Sequence, residues 1–151
     1  MSRVRRFLNL EPRDRCLLVG AALLFVALRV GLSALPFGIF RRVLTRLARP
    51  QSTPSVAGRV APERIAWAVT TASRYAFKPT CLVRAITAQL LLRRAGHPAE
   101  LYIGVSKEEN GRFRAHAWVE GSGSVIIGGS ELEEYVALLG RHGRKPNLLP
   151  S

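Results

Sequence analysis

The sequence predicts an α+β domain with its helices on one side of an antiparallel sheet. Three features predict it. Apolar residues cover most of the circumference of a helix pattern running from Cys81 to Arg94. Two stretches that alternate in the manner of strands follow it, one from Glu100 to Val105 and one from Phe113 to Val119. Between them lies Lys107-Glu108-Glu109-Asn110-Gly111, whose Asn-Gly ending suits a hairpin.

The elements follow in order. Arg3, Arg5, Arg6, Arg13 and Arg15 precede a run without charge from Cys16 to Leu28; Arg29 interrupts it, and Val30 to Phe40 continues apolar around Gly31, Pro36 and Gly38. Three placements of this segment stay open. It can form a helix pair, broken near Gly31–Pro36, that packs on the domain or lies at a membrane surface. It can span a membrane, at a cost of about 2.5–3.5 kcal/mol for Arg29 near the middle. It can be an export signal, with Leu32-Ser33-Ala34 as the small-residue site. Cys16 reads as a small buried or lipid-facing residue. The arginines of Arg41 to Arg49 make a basic amphipathic piece, and residues 50–58, rich in Pro, Ser, Thr and Gly, read as a linker. The expected organisation is a basic, hydrophobic helical region with its linker at 1–58, a folded domain at 59–140 and a basic tail at 141–151.

Pro62 suits the first turn of the next helix, and Ile65, Val69, Ala72 and Tyr75 or Ala76 recur at helical spacing. Trp67 lies off that stripe and reads as a packing residue. Thr80 is the expected N-cap of the buried helix, which ends at Gly96 with Pro98 beyond. In the second strand Phe113, Ala115, Ala117 and Val119 face one way and Arg114, His116 and Trp118 the other. Gly121-Ser122-Gly123 turns into a third strand, Ser124 to Ile127. The capping box Ser130-Glu131-Leu132-Glu133 predicts a last helix through Leu139.

Charge is lopsided. Residues 1–60 hold eleven arginines against Glu11 and Asp14, a net of +9, while the remainder holds twelve basic and eight acidic residues. A basic N-terminal part suits anionic headgroups or an acidic peptide. With no zinc-finger spacing, RNA-binding signature or basic-aromatic interleaving, nucleic acid is not an expected partner. Two cysteines make no disulfide framework in a chain this long, and the pair reads as reduced and cytosolic unless the N-terminus is an export signal. No metal site and no cofactor are expected: His97 sits in a Gly-His-Pro turn, His142 in the tail, and no carboxylate–histidine cluster has ligand spacing.

Cys81 and His116 stand out as chemistry. A cysteine that opens a helix is biased toward thiolate by the helix dipole and the unpaired N–H groups, and those groups suit a developing oxyanion. A histidine on a neighbouring strand is a candidate general base. The plain alternative is a small residue at a helix start and a structural histidine on a strand.

These residues sit in a familiar pattern. Cys81-Leu82-Val83-Arg84-Ala85, then the helix end Arg93-Arg94-Ala95-Gly96 with Ile103-Gly104-Val105 beyond, then Ala115-His116-Ala117-Trp118-Val119-Glu120, resemble the transglutaminase-like leader peptidases of lasso-peptide biosynthesis in order and spacing. The resemblance covers about residues 62–139. It implies a transglutaminase-like, papain-like cysteine protease core, a central helix against an antiparallel sheet, with an N-terminal hydrophobic helical extension. It implies a peptidase in which Cys81 attacks the bond between leader and core while His116 activates the thiol and protonates the leaving amine. Its partners are then the precursor leader peptide, a separate leader-recognition protein (residues 1–60 show no winged-helix pattern) and a lasso cyclase, with membrane-surface contact through residues 1–49. The location is cytoplasmic, or cytoplasmic and membrane-associated. An acyltransferase on the same fold and a non-catalytic membrane- or peptide-binding scaffold are the alternatives.

The family usually adds an acidic residue on the strand after the histidine, and this sequence departs there. Ser124 to Gly129 holds no carboxylate, and Gly128 stands about where one is expected. Glu120 is four residues along the strand from His116, roughly 13 Å at 3.3 Å per residue. Glu131 is the substitute acid; otherwise Cys81 and His116 form a dyad whose imidazole is oriented by a backbone carbonyl or by Ser130.

Overall fold

A computed structural model describes residues 8–34, 36, 38–39, 42, 46, 60–75, 80–129 and 136–139. Helix α1 (Pro12–Ala34) starts with proline in its first turn and buries Leu18, Ala21, Phe25 and Leu28, spaced three and four residues apart. It runs unbroken through Arg29 and Gly31 to Ala34, and Pro36 is outside helix. Gly38 and Ile39 are helical again, so the expected break falls between Ala34 and Gly38. Cys16 is exposed rather than buried, because it lies between the inward positions Asp14 and Leu18.

Helix α2 (Pro62–Tyr75) buries Ile65, Ala68, Val69 and Ala72. Tyr75 continues the stripe at the last residue of the helix, where it is 66% exposed, and Ala76 falls outside the described residues. Trp67, expected to pack, is 41% exposed. Two residues from Ile65 is roughly 200° around a helix, which turns Trp67 away from the core.

Arg64 of α2 clamps the two helices. Its Nε donates to Asp14 Oδ1 at 3.1 Å and its Nη2 to Asp14 Oδ2, while Glu11 lies 3.7 Å away. The hydrogen bond to Asp14, then its charge, raises the Arg64 pKa. The pair is asymmetric: the Asp14 side chain is 11% exposed and that of Arg64 50%. Removing the arginine strands a buried carboxylate, whereas removing the aspartate leaves a guanidinium that water can reach. Arg64→Ala is therefore expected to lower the melting temperature more than Asp14→Ala, as read by thermal circular dichroism; equal shifts would refute the asymmetry.

Helix α3 (Cys81–Arg94) follows the expectation from cap to cap. Thr80 adopts extended backbone and its Oγ1 accepts from Val83 N at 3.4 Å. At the far end Ala95, Gly96 and His97 return their N–H groups to Leu91, Arg93 and Leu92. Val83, Ala85, Ile86, Thr87, Ala88, Leu90 and Leu92 are buried around the helix. The one polar side chain among them, Thr87, donates its hydroxyl to Val83 O at 2.8 Å.

The sheet of the described residues is antiparallel in the order β3-β2-β1-β4. Strands β1 (Glu100–Lys107) and β2 (Phe113–Gly121) pair in full register, with Gly104 opposite His116 and Tyr102 opposite Trp118. Ser122 and Gly123, both at positive φ, form the two-residue turn into β3 (Ser124–Ile127). Ala117, Val119 and Ile127 join the helices in one core, while Tyr102 and Trp118 pack with Val125 in a second cluster.

The last element corrects the expectation. Val136–Leu139 is a strand, β4, paired antiparallel with β1 through Ile103↔Leu139, Gly104↔Ala137 and Val105↔Val136. A four-residue apolar run suits helix or strand equally by pattern, and here the unpaired edge of β1 decides between them. The capping-box residues 130–135 lie outside the described residues.

Candidate active site

Cys81 is the first residue of α3, and its height above the sheet is set by the buried helix behind it. Thr80 caps Val83 N, and Arg84 N bonds Thr80 O at 3.1 Å. The N–H groups of Cys81 and Leu82 precede these and have no intrahelical acceptor by position, so they are the candidate oxyanion donors. The thiol is partly exposed and sits 3.9 Å from the carbonyl oxygen of Ala115, the residue before His116. The start of α3 thus meets β2 one residue before His116.

His116 is half-buried, and its ring lies nearly parallel to that of Trp118, with centroids 6.4 Å apart and planes at 18°. Trp118 in turn stacks on Tyr102 at 5.6 Å. The ring of His116 is held from its far side as well: Nε2 lies 2.9 Å from the carbonyl oxygen of Gly128. A carbonyl only accepts, so Nε2 carries the hydrogen, and in the neutral ring Nδ1 is the basic nitrogen.

Gly128 follows β3 directly, with φ +84. A Cβ there would stand 2.9 Å from both Ala117 O and Trp118 Cβ. The close pass of the chain over Trp118 therefore demands glycine, and it aims the carbonyl at His116. Of the orienting groups expected, the backbone carbonyl is the one observed among the described residues; Glu131 and Ser130 lie outside them. Glu120 is engaged elsewhere, accepting from Trp118 Nε1 at 3.0 Å. Glu100 does the same for Tyr102 Oη at 3.1 Å, and desolvation first, then that bond and the two glutamates' charges, raise the Tyr102 pKa. His97 is a structural residue, with Nε2 2.7 Å from Val60 O.

The structure thus gives a cysteine at a capped helix start that meets β2 at Ala115, and a histidine one residue along that strand whose ring is fixed by the Gly128 carbonyl. The Transglutaminase-like superfamily model matches residues 22–140, and the chain belongs to that superfamily. Its members are generally enzymes and include cysteine peptidases and acyltransferases. The match begins within α1, whose inward residues share one core with α2 and α3. No curated protein and no solved structure matches the chain.

Proposed function

We propose that this chain is a cysteine peptidase that removes the leader from a lasso-peptide precursor in the cytoplasm, leaving the core amine for a separate cyclase. The observation that carries the reading is the His116 ring, fixed by Gly128 O with Nδ1 basic, on the strand that Cys81 meets. The motif resemblance around Cys81 and His116 supplies the substrate class. In this reading His116 Nδ1 takes the thiol proton and Cys81 Sγ bonds to the scissile carbonyl carbon. The N–H groups at the start of α3 receive the oxyanion. The proton passes to the leaving amine as the C–N bond breaks, and water then releases the leader's carboxylate and restores the thiol.

The test is mass spectrometry of a precursor peptide incubated with the full chain and its recognition protein. A single cut at the leader–core junction is expected. Rapid cleavage by the chain alone would remove the need for a recognition partner. Because the superfamily includes acyltransferases, hydroxylamine is added in a parallel reaction. A leader hydroxamate formed to the exclusion of free acid would assign the chain to amide exchange instead of hydrolysis.

A further inference from the structure

We propose that α1 seats the folded domain in the plane of an anionic bilayer, through an apolar stripe on its outward side. The helix is 23 residues long with a mean hydropathy of 2.2 over its most apolar window, yet only 22% of that window is buried. Val19, Leu23, Val26 and Val30 recur every three or four residues on the uncovered side and are 47%, 65%, 61% and 58% exposed. A helix that only had to pack on a domain would carry polar residues there.

The stripe does not end with α1. An open groove of about 1030 Å³ runs between α1 and α2, lined by Val19, Val26 and Val30 on one wall and by Thr71 and Tyr75 on the other. Trp67 stands four residues before Thr71, on the same side of α2, and it too is exposed. Tryptophan and tyrosine beside an aliphatic surface favour the level where acyl chains meet headgroups.

Charge selects the occupant. All basic residues among the first sixty are arginines, and the net there is +9. Arg29 lines the apolar groove itself, and Arg74 adjoins Tyr75. A guanidinium on an aliphatic stem covers apolar surface while its head reaches a phosphate. A second copy of this chain would bring like charge against like charge, at +13 each. A nucleic acid would leave the aliphatic stripe in water.

The same helix argues against a span. Leu18, Ala21, Phe25 and Leu28 are in the domain core and Asp14 is bound by Arg64, so crossing a membrane would strip one side of α1 from its own protein. In-plane seating uses both sides of the helix at once.

The test is flotation of the full chain with phosphatidylcholine vesicles, with and without about 30% phosphatidylglycerol. Preferential flotation with the anionic vesicles is expected, with release by alkaline carbonate. Leu23→Glu with Val26→Glu, both at exposed positions, should lower vesicle binding more than about tenfold with an unchanged near-ultraviolet circular dichroism spectrum. Trp67 fluorescence gives a second reading, a blue shift on adding anionic vesicles that Trp67→Phe removes while flotation persists. Equal binding to neutral vesicles, an unaffected double variant, or carbonate-resistant insertion would each overturn the proposal. So would a concentration-dependent dimer abolished by the double variant, which would give the stripe to a second copy. Peptidase assays on soluble precursor are independent of this result.

Discussion

Replacing Cys81 by alanine is expected to lower leader cleavage by about four orders of magnitude or more, since the one hydroxyl on α3, that of Thr87, is buried and bound to Val83 O. His116→Ala should cost about two to four orders, the range for loss of a positioned general base. The double variant should be no worse than Cys81→Ala, because the two residues act as one unit in the step that makes the nucleophile. Mass spectrometry under single-turnover conditions reads all three, and intact precursor binding shows that the loss lies in chemistry. Cleavage that survives Cys81→Ala would remove the nucleophile from this site altogether. Additive losses would mean that His116 works in some step that does not involve the thiol.

The second large effect is expected at a residue with no side chain. Gly128→Ala puts a methyl group 2.9 Å from Ala117 O and Trp118 Cβ at a backbone angle alanine avoids, so the end of β3 must move. The carbonyl then leaves His116 Nε2. We expect kcat to fall by about tenfold to a hundredfold with KM changed little, since orientation of the base is spent in the transition state. Gly121→Ala is the control. It is also crowded, at 2.5 Å from Ile126 Cδ1 and 2.6 Å from Pro98 O, but it sits beside the β2–β3 turn, at the opposite end of β3 from Gly128. Both variants should be less stable; only Gly128→Ala should weaken the hydrogen-bonded Nε2–H signal of His116 in a nitrogen-15 spectrum. Equal kcat losses in the two, with that signal intact in both, would reduce Gly128 to a packing residue.

Much of this was legible in residue types. Thr80, Gly96 and the wall of aliphatics between them determine α3, because caps and apolar periodicity act locally and agree with one another. The β1–β2 hairpin was readable for the same reason, its alternation and its Asn-Gly turn being properties of neighbours in sequence. Val136–Leu139 was misread because its strand state depends on β1, some thirty residues away, and not on its own letters. Trp67 lies off the apolar stripe of its helix, and its exposure follows from that angle, not from its residue type. At the site, Cys81 and His116 are visible as side chains with distinctive settings. Gly128 was visible only as a missing carboxylate, since a carbonyl oxygen belongs to every residue and only the path of the chain makes one of them special.

That path gives the site an insensitivity that a carboxylate would not provide. An acidic partner for histidine can be protonated, and in acid its hold on the ring weakens. The peptide oxygen of Gly128 carries no exchangeable proton and no formal charge, so neither acidity nor added salt can switch it off. What holds His116 in place is a shape, and it lasts as long as the end of β3 passes close over Trp118.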